Sequence, residues 1–171
     1  LKGTSSVNTM YGLADDNTLI GLGGVDSLLG GLGNDKYLWS TGEGNDDITE
    51  TGGSADELIL GSGITANDVR FERSGTYDLY VYVGTEKVLL RDQLRDLILG
   101  TNTGYAVETL RLADNSTLDL VNNLTLKGTS SANTITGLAD NNTLIGLGGN
   151  DSLLGGNGND LLYGDDGNDF L

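Results

Sequence analysis

The sequence contains no cysteine, no histidine and no proline. Without cysteine there is no disulfide framework, thiol nucleophile or thiolate metal site, and without histidine there is no His-based triad and no imidazole-held zinc, copper or haem. Only hard oxygen donors are left for a metal. Basic residues are scarce: 9 Lys and Arg stand against 25 Asp and Glu, a formal net charge of −16. Such a chain repels nucleic acid and anionic lipid and attracts multivalent cations. No apolar run reaches the roughly 20 residues of a membrane span, and the start, LKGTSS, has no apolar signal-peptide region. Neither a nucleic-acid partner nor membrane insertion by this fragment is expected. No catalytic pair stands out among the carboxylates, so the chain is not expected to be an enzyme.

What is abundant is glycine, 28 residues of 171, and it is periodic. Gly21 to Leu38 reads GLGGVDSLL and then GGLGNDKYL, two nonapeptides with glycines in front, Asp sixth and a bulky apolar residue eighth. Gly146 to Tyr163 repeats the cadence as GLGGNDSLL and GGNGNDLLY. Counting back in nines from Gly21 gives GLADDNTLI and GTSSVNTMY, with Asn17 and Asn8 in the sixth place. Counting forward, past an inserted Trp39 and Ser40, gives TGEGNDDIT, and past Glu50 a weaker TGGSADELI, with Asp46 and Asp56 sixth. Residues 126–163 restate residues 1–38 from the same LKGTSS start, with Asn133, Asn142, Asp151 and Asp160 in sixth places, and GDDGNDFL follows with Asp169. Asp and Gly are ordinary turn formers, but eleven copies in one phase mark a repeat architecture.

This G-G-x-G-x-D-x-U-x pattern resembles the RTX, or haemolysin-type, nonapeptide, a calcium-binding parallel β-helix repeat. The resemblance implies an all-β fold, a parallel β-roll or right-handed calcium-binding β-solenoid, with two roll blocks joined by a β-rich segment. Six residues of each repeat turn and three form a strand, so two nonapeptides complete a coil and repeats n and n+2 stack. The expected blocks are 1–59 for the first roll, 60–125 for a β-rich segment that continues or caps it, and 126–171 for a second roll cut short. Position eight (Met10, Leu19, Leu28, Tyr37, Ile48, Leu58, Ile135, Leu144, Leu153, Leu162 and Leu171) is expected to point inward. Position nine (Ile20, Leu29, Leu38, Ile145, Leu154 and Tyr163) is expected outward, the first block's row being partly covered by the middle segment.

Stacked strands lie about 4.8 Å apart, so a roll gathers the sixth-position carboxylates of alternate repeats. Two such charges about 5 Å apart repel by about 3 kcal/mol at an effective dielectric of about 20, and a divalent ion between them reverses the sign. Calcium suits the site because it takes six to eight oxygens in flexible geometry, backbone carbonyls included. The resemblance therefore implies several Ca²⁺ per chain, with Asp26 facing Asp46, Asp35 facing Asp56, Asp151 facing Asp169, and Asp160 among the ligands. Weaker pairs join Asn8 to Asp26, Asn17 to Asp35, Asn133 to Asp151 and Asn142 to Asp160, with Asp15 and Asp140 as partial compensation. The fourth-position glycines Gly24, Gly33, Gly44, Gly149, Gly158 and Gly167 supply the left-handed turns and carbonyl oxygens.

The middle segment changes character. DVRFERS, YDLYVYV, EKVLLRD and VETLRLAD are short alternating runs that predict strands; ADNS at 113–116 predicts a hairpin turn, and residues 91–98 predict a turn or two of helix. Six of the nine basic residues lie here, and the order of elements is similar to the segment that often follows RTX rolls in secreted bacterial proteins. By resemblance, the function is calcium-dependent folding and stabilisation after type I secretion, outside the bacterial cell, with a parent effector domain beyond this fragment. The other reading is an adhesion or ligand-binding module for polysaccharide, a host surface or ice, rigidified by calcium. Thr9, Thr18, Thr134 and Thr143 could form ice-facing rows, and Trp39, Tyr77, Tyr80 and Tyr82 could stack on sugar, although strand propensity and core packing account for both sets more simply. The second block is expected to hold fewer ions than the first, with an open end that frays or makes end-to-end contact with another roll.

Overall fold

The computed structural model describes residues 1–95, 104–121, 124–138 and 141–171. The roll strands are short because each repeat is short: three to five residues, rich in Thr, Ser, Leu, Ile and Tyr, lie between turns that need left-handed backbone. Six strands make the first roll: β1 (Thr9–Leu13), β2 (Thr18–Ile20), β3 (Ser27–Gly31), β4 (Lys36–Trp39), β5 (Asp46–Thr49) and β6 (Glu57–Leu60). Odd strands stack on odd and even on even, all parallel: Met10 lies against Leu28 and Leu28 against Ile48, while Leu19 lies against Tyr37 and Tyr37 against Leu58. Two nonapeptides per coil is therefore the observed geometry. The Trp39 and Ser40 insertion only lengthens the offset between stacked partners from 18 to 20 residues, as Leu28 against Ile48 shows.

The second roll follows the same rule. Its strands β12 (Thr125–Lys127), β14 (Thr143–Ile145) and β16 (Leu161–Tyr163) stack on one side, and β13 (Thr134–Thr136) and β15 (Ser152–Leu154) on the other. Between the rolls, β7 (Val69–Ser74), β8 (Asp78–Val83) and β9 (Glu86–Arg91) form an antiparallel meander. β9 pairs parallel with β5, and β7 pairs parallel with β12 through Phe71 and Leu126. The odd face of the first roll, the meander and one face of the second roll thus form a single nine-stranded sheet. On the opposite face β10 (Thr109–Arg111) continues the first roll by pairing parallel with β6, and β11 (Thr117–Asp119) closes it as an antiparallel hairpin. The ADNS turn sits where the sequence predicts it, with Asn115 at φ 66° and its amide donating to the Leu112 carbonyl.

The core is a thin column. Leu19, Leu28, Tyr37, Ile48, Leu58, Leu144 and Leu153 are buried, with Met10, Ile135 and Leu162 packed partly against them. Leu171 departs from the expected inward set: it is 61% exposed, because among the described residues no strand packs over it. Of the position-nine row, Ile20, Leu29 and Leu38 are half-buried, whereas Leu154 and Tyr163 are exposed. Within 91–98 the described residues turn at 92–94 and become helical at Arg95. Arg91 ends β9, Asp92 takes a left-handed φ of 53°, and Leu94 donates to the Tyr77 carbonyl; residues 96–98 lie outside the described residues.

Candidate metal centre

Every sixth-position Asp does the same thing. Its Oδ1 accepts the backbone N–H of the sixth residue two repeats earlier. Asp26 takes the amide of Asn8 (2.6 Å) and Asp46 that of Asp26 (2.8 Å). On the other edge Asp35 takes Asn17 (2.7 Å) and Asp56 takes Asp35 (2.6 Å). In the second roll Asp151 takes Asn133 (2.7 Å), Asp169 takes Asp151 (2.9 Å) and Asp160 takes Asn142 (2.9 Å). The seven pairs expected from the spacing are the seven pairs the stacking brings together. Asp26, Asp35, Asp46, Asp56 and Asp151 are buried; Asp160 and Asp169 are half-buried.

The second oxygen of these carboxylates is the informative one. Oδ2 of Asp26, Asp35, Asp56 and Asp151 is buried without a hydrogen-bond partner. Unpartnered buried carboxylate oxygens are costly, and here they recur at one repeat position. The space they occupy exists because the first residue of the repeat is glycine: a Cβ on Gly21, Gly146, Gly155 or Gly164 would collide with Oδ2 of Asp26, Asp151, Asp160 or Asp169 respectively. The fourth-position glycines Gly24, Gly33, Gly44, Gly149, Gly158 and Gly167 all have left-handed φ, from 104° to 146°. They also stack, so a Cβ on Gly44 would strike the Gly24 carbonyl and one on Gly167 the Gly149 carbonyl. Buried anionic oxygens beside stacked carbonyls make a hard, oxygen-only donor set that fits calcium.

A family model for the RTX calcium-binding nonapeptide repeat, in four copies, matches residues 2–37, 125–153 and 136–171. The matched residues of both blocks are RTX repeats. They bind calcium, and the β-solenoid they build is a structural calcium-binding fold. No curated protein matches the chain. Asp46 and Asp56 fall outside the matched residues; they join the RTX ladder by the same Oδ1 geometry as the rest.

The asparagine-bearing RTX turns behave differently. Asn8 Oδ1 accepts the amide of Thr4 and Asn133 Oδ1 that of Thr129, both at 2.6 Å. Asn142 accepts from Leu138, and Asn17 donates to the Gly12 carbonyl at 3.0 Å. Each amide side chain closes its own turn, so these turns are satisfied by hydrogen bonds where the aspartate turns leave an oxygen over. The Asp15 side chain is exposed, and its carbonyl accepts from Asn17. The neighbouring Asp16 reaches the next coil instead, accepting the Asn34 amide at 2.8 Å. Asp140 lies outside the described residues.

Two acidic residues join the site unannounced by the repeat count. Glu108, just before β10, accepts the Asp56 amide through Oε2 at 2.6 Å and so extends the ladder into the middle segment. Glu50 is buried, with Oε1 accepting the Tyr37 hydroxyl and Oε2 unpartnered. Burial pushes these carboxyls above their ordinary range: Asp35 upward, Asp46 to about 6, Asp56 to about 7 and Glu50 to about 8. Neighbouring negative charge adds to the effect, Glu108 on Asp56 and Asp56 on Glu50. Burial and the Glu50 charge likewise raise the Tyr37 hydroxyl. Three of the four aromatic residues weighed for sugar stacking are otherwise engaged: Trp39 is buried and donates to the Gly44 carbonyl, Lys87 covers Tyr80, and Arg70 covers Tyr82; Tyr77 is half-buried.

Proposed function

We propose that calcium is the folding trigger of this chain, and that Asp26, Asp35, Asp46, Asp56, Asp151, Asp160 and Asp169 carry the ions together with carbonyls of the fourth-position glycines. The observation that carries the reading is the recurrence of a buried, unpartnered Oδ2 at Asp26, Asp35, Asp56 and Asp151. Without a cation, those oxygens oppose the stacking that the thin apolar column favours; with one, each coil becomes the template for the next. A chain built this way stays open in low-calcium cytosol and folds after export, by a type I route, into an extracellular medium, where a dissociation constant of about 10⁻⁴ to 10⁻³ M is sufficient. The roll then serves as a scaffold for whatever effector it is attached to.

Far-ultraviolet circular dichroism during a calcium titration tests this. The chain in chelator is expected to show little β-structure and to gain it cooperatively with calcium, with magnesium a poor substitute because of its stricter octahedral demand. An identical spectrum in chelator and in calcium would overturn the reading. A second reading, ligand binding on a calcium-rigidified surface, draws on a cavity of about 500 Å³ where β7 meets the second roll, lined by Arg70, Arg73 and Lys127 among others. Arg70 is paired there with Glu72, which also lines the cavity, and Arg73 donates to the Gly137 and Thr76 carbonyls; a glycan array on calcium-loaded protein separates the two readings.

A further inference from the structure

Gly12, Gly30 and Glu50 fall in one column: Leu13 lies against Gly31 and Leu29 against Thr49, which sets Glu50 over Gly30. The column therefore changes from glycine to glutamate in the middle of the first roll. The side chain that enters is not turned out to solvent. Glu50 is 1% exposed, and its carboxylate lies between Asp35 and Asp56, both 0% exposed. One oxygen from each of the three carboxylates lies within 4.8 Å of the others. Asp35 Oδ2, Glu50 Oε1 and the Tyr37 hydroxyl all crowd the space that a Cβ on Gly30 would fill. Asp35 Oδ2, Glu50 Oε2 and Asp56 Oδ2 each lack a partner, and none of the ion pairs among the described residues reaches them.

We propose that Asp35, Glu50 and Asp56 form a three-carboxylate cation site inside the first roll, opened by Gly30 and with Glu50 oriented by the Tyr37 hydroxyl. It rests on the calcium reading above and goes beyond it, because the repeat itself supplies only two carboxylates per stacked pair. A third carboxylate raises the charge of the site to −3, so it binds calcium more tightly than the two-aspartate turns and favours a trivalent ion of similar size more strongly still. The second roll has no equivalent hydroxyl: the residue 125 positions after Tyr37 is Leu162. The first roll thus holds one site of a different class from the rest of the ladder.

Terbium(III) titration of the whole chain, read by tyrosine-sensitised luminescence, tests the site without a variant. One equivalent is expected to bind at roughly a hundredfold lower concentration than the others, since ligand charge count sets affinity in such sites. Glu50→Gln is expected to lose that equivalent, while the remaining sites still fill and calcium still induces β-structure. Tyr37→Phe keeps the tight equivalent but loses much of its sensitised emission. A single-phase wild-type titration, or a Glu50→Gln protein that retains the tight equivalent, would overturn the three-carboxylate site and leave the two-aspartate ladder standing. A wild-type chain that binds neither terbium nor calcium would instead overturn the calcium reading, and this site with it. If Glu50→Gln does not fold, the phases of the wild-type titration decide.

Discussion

The two rolls begin with the same phrase, LKGTSS, and run in parallel for 38 residues, yet they present their carboxylates to different surroundings. In the first, Asp26, Asp35, Asp46 and Asp56 are all buried; in the second, Asp151 is buried while Asp160 and Asp169 stay half-exposed. The motif is the same in both. What differs is the stack around it: the first roll is continued by β9 on one face and by β10 on the other, and Glu50 and Glu108 bring further acid to its even edge. A repeat unit, then, sets which atoms meet, and its neighbours in the solenoid set how strongly those atoms depend on a cation.

The largest difference is expected from single aspartates. Asp26 sits in two rungs, accepting the Asn8 amide and donating its own to Asp46, so Asp26→Ala removes a ligand and a stacking bond in a buried place, at a cost of about 3 to 5 kcal/mol of calcium-loaded stability. Asp169→Ala, in the half-exposed second roll, is expected to cost about 1 kcal/mol, and Asp15→Ala, an exposed side chain off the ladder, within about 0.5 kcal/mol. Denaturant unfolding in calcium measures all three. Equal losses at Asp26 and Asp15 would mean that the repeat phase assigned to the first roll is wrong.

A smaller effect comes from pH. Burial raises Asp46 to about 6, Asp56 to about 7 and Glu50 to about 8. A carboxyl whose folded value lies above its unfolded one is stabilising when protonated, so its contribution is complete below the ordinary carboxylate range and is lost as pH rises through 6 to 8. In chelator, lowering the pH from about 8.5 to about 5.5 is therefore expected to order the first roll in part, as seen by amide exchange at Asp26, Asp35 and Glu57. In calcium the direction reverses, because protons compete with the ion for the same oxygens. Chelated protein that loses order on acidification over this range would contradict the buried-carboxylate account.

Much of this was legible in the sequence once the β-roll that the RTX resemblance implies is granted: with two nonapeptides per coil, repeats n and n+2 stack, and the seven aspartate and asparagine pairs follow from counting. The two-residue insertion at Trp39 and Ser40 moved the offset but not the pairing. Glu50 was hidden because it stands between two copies, where it reads as a spacer, and its place over Gly30 exists only once β3 and β5 are in register. Glu108 had a signal that could have been used: Glu108, Thr109, Leu110 repeats the acid, spacer, leucine cadence of Asp56, Glu57, Leu58, and the structure pairs Thr109 with Glu57 and Leu110 with Leu58 while Glu108 accepts the Asp56 amide. The joining of the rolls into one nine-stranded sheet was not legible at all. It depends on β9 finding β5 and β7 finding β12, which are pairings between distant segments that no local pattern encodes.

The most direct test is the position of the ions in a calcium-loaded crystal, located by anomalous scattering. Peaks are expected beside Oδ2 of Asp26, Asp35, Asp56 and Asp151, in greater number in the first roll than in the second, and none confined to the turns that Asn8 and Asn133 close by hydrogen bonds. Equal numbers in the two rolls, or ions seated away from those oxygens, would contradict the account.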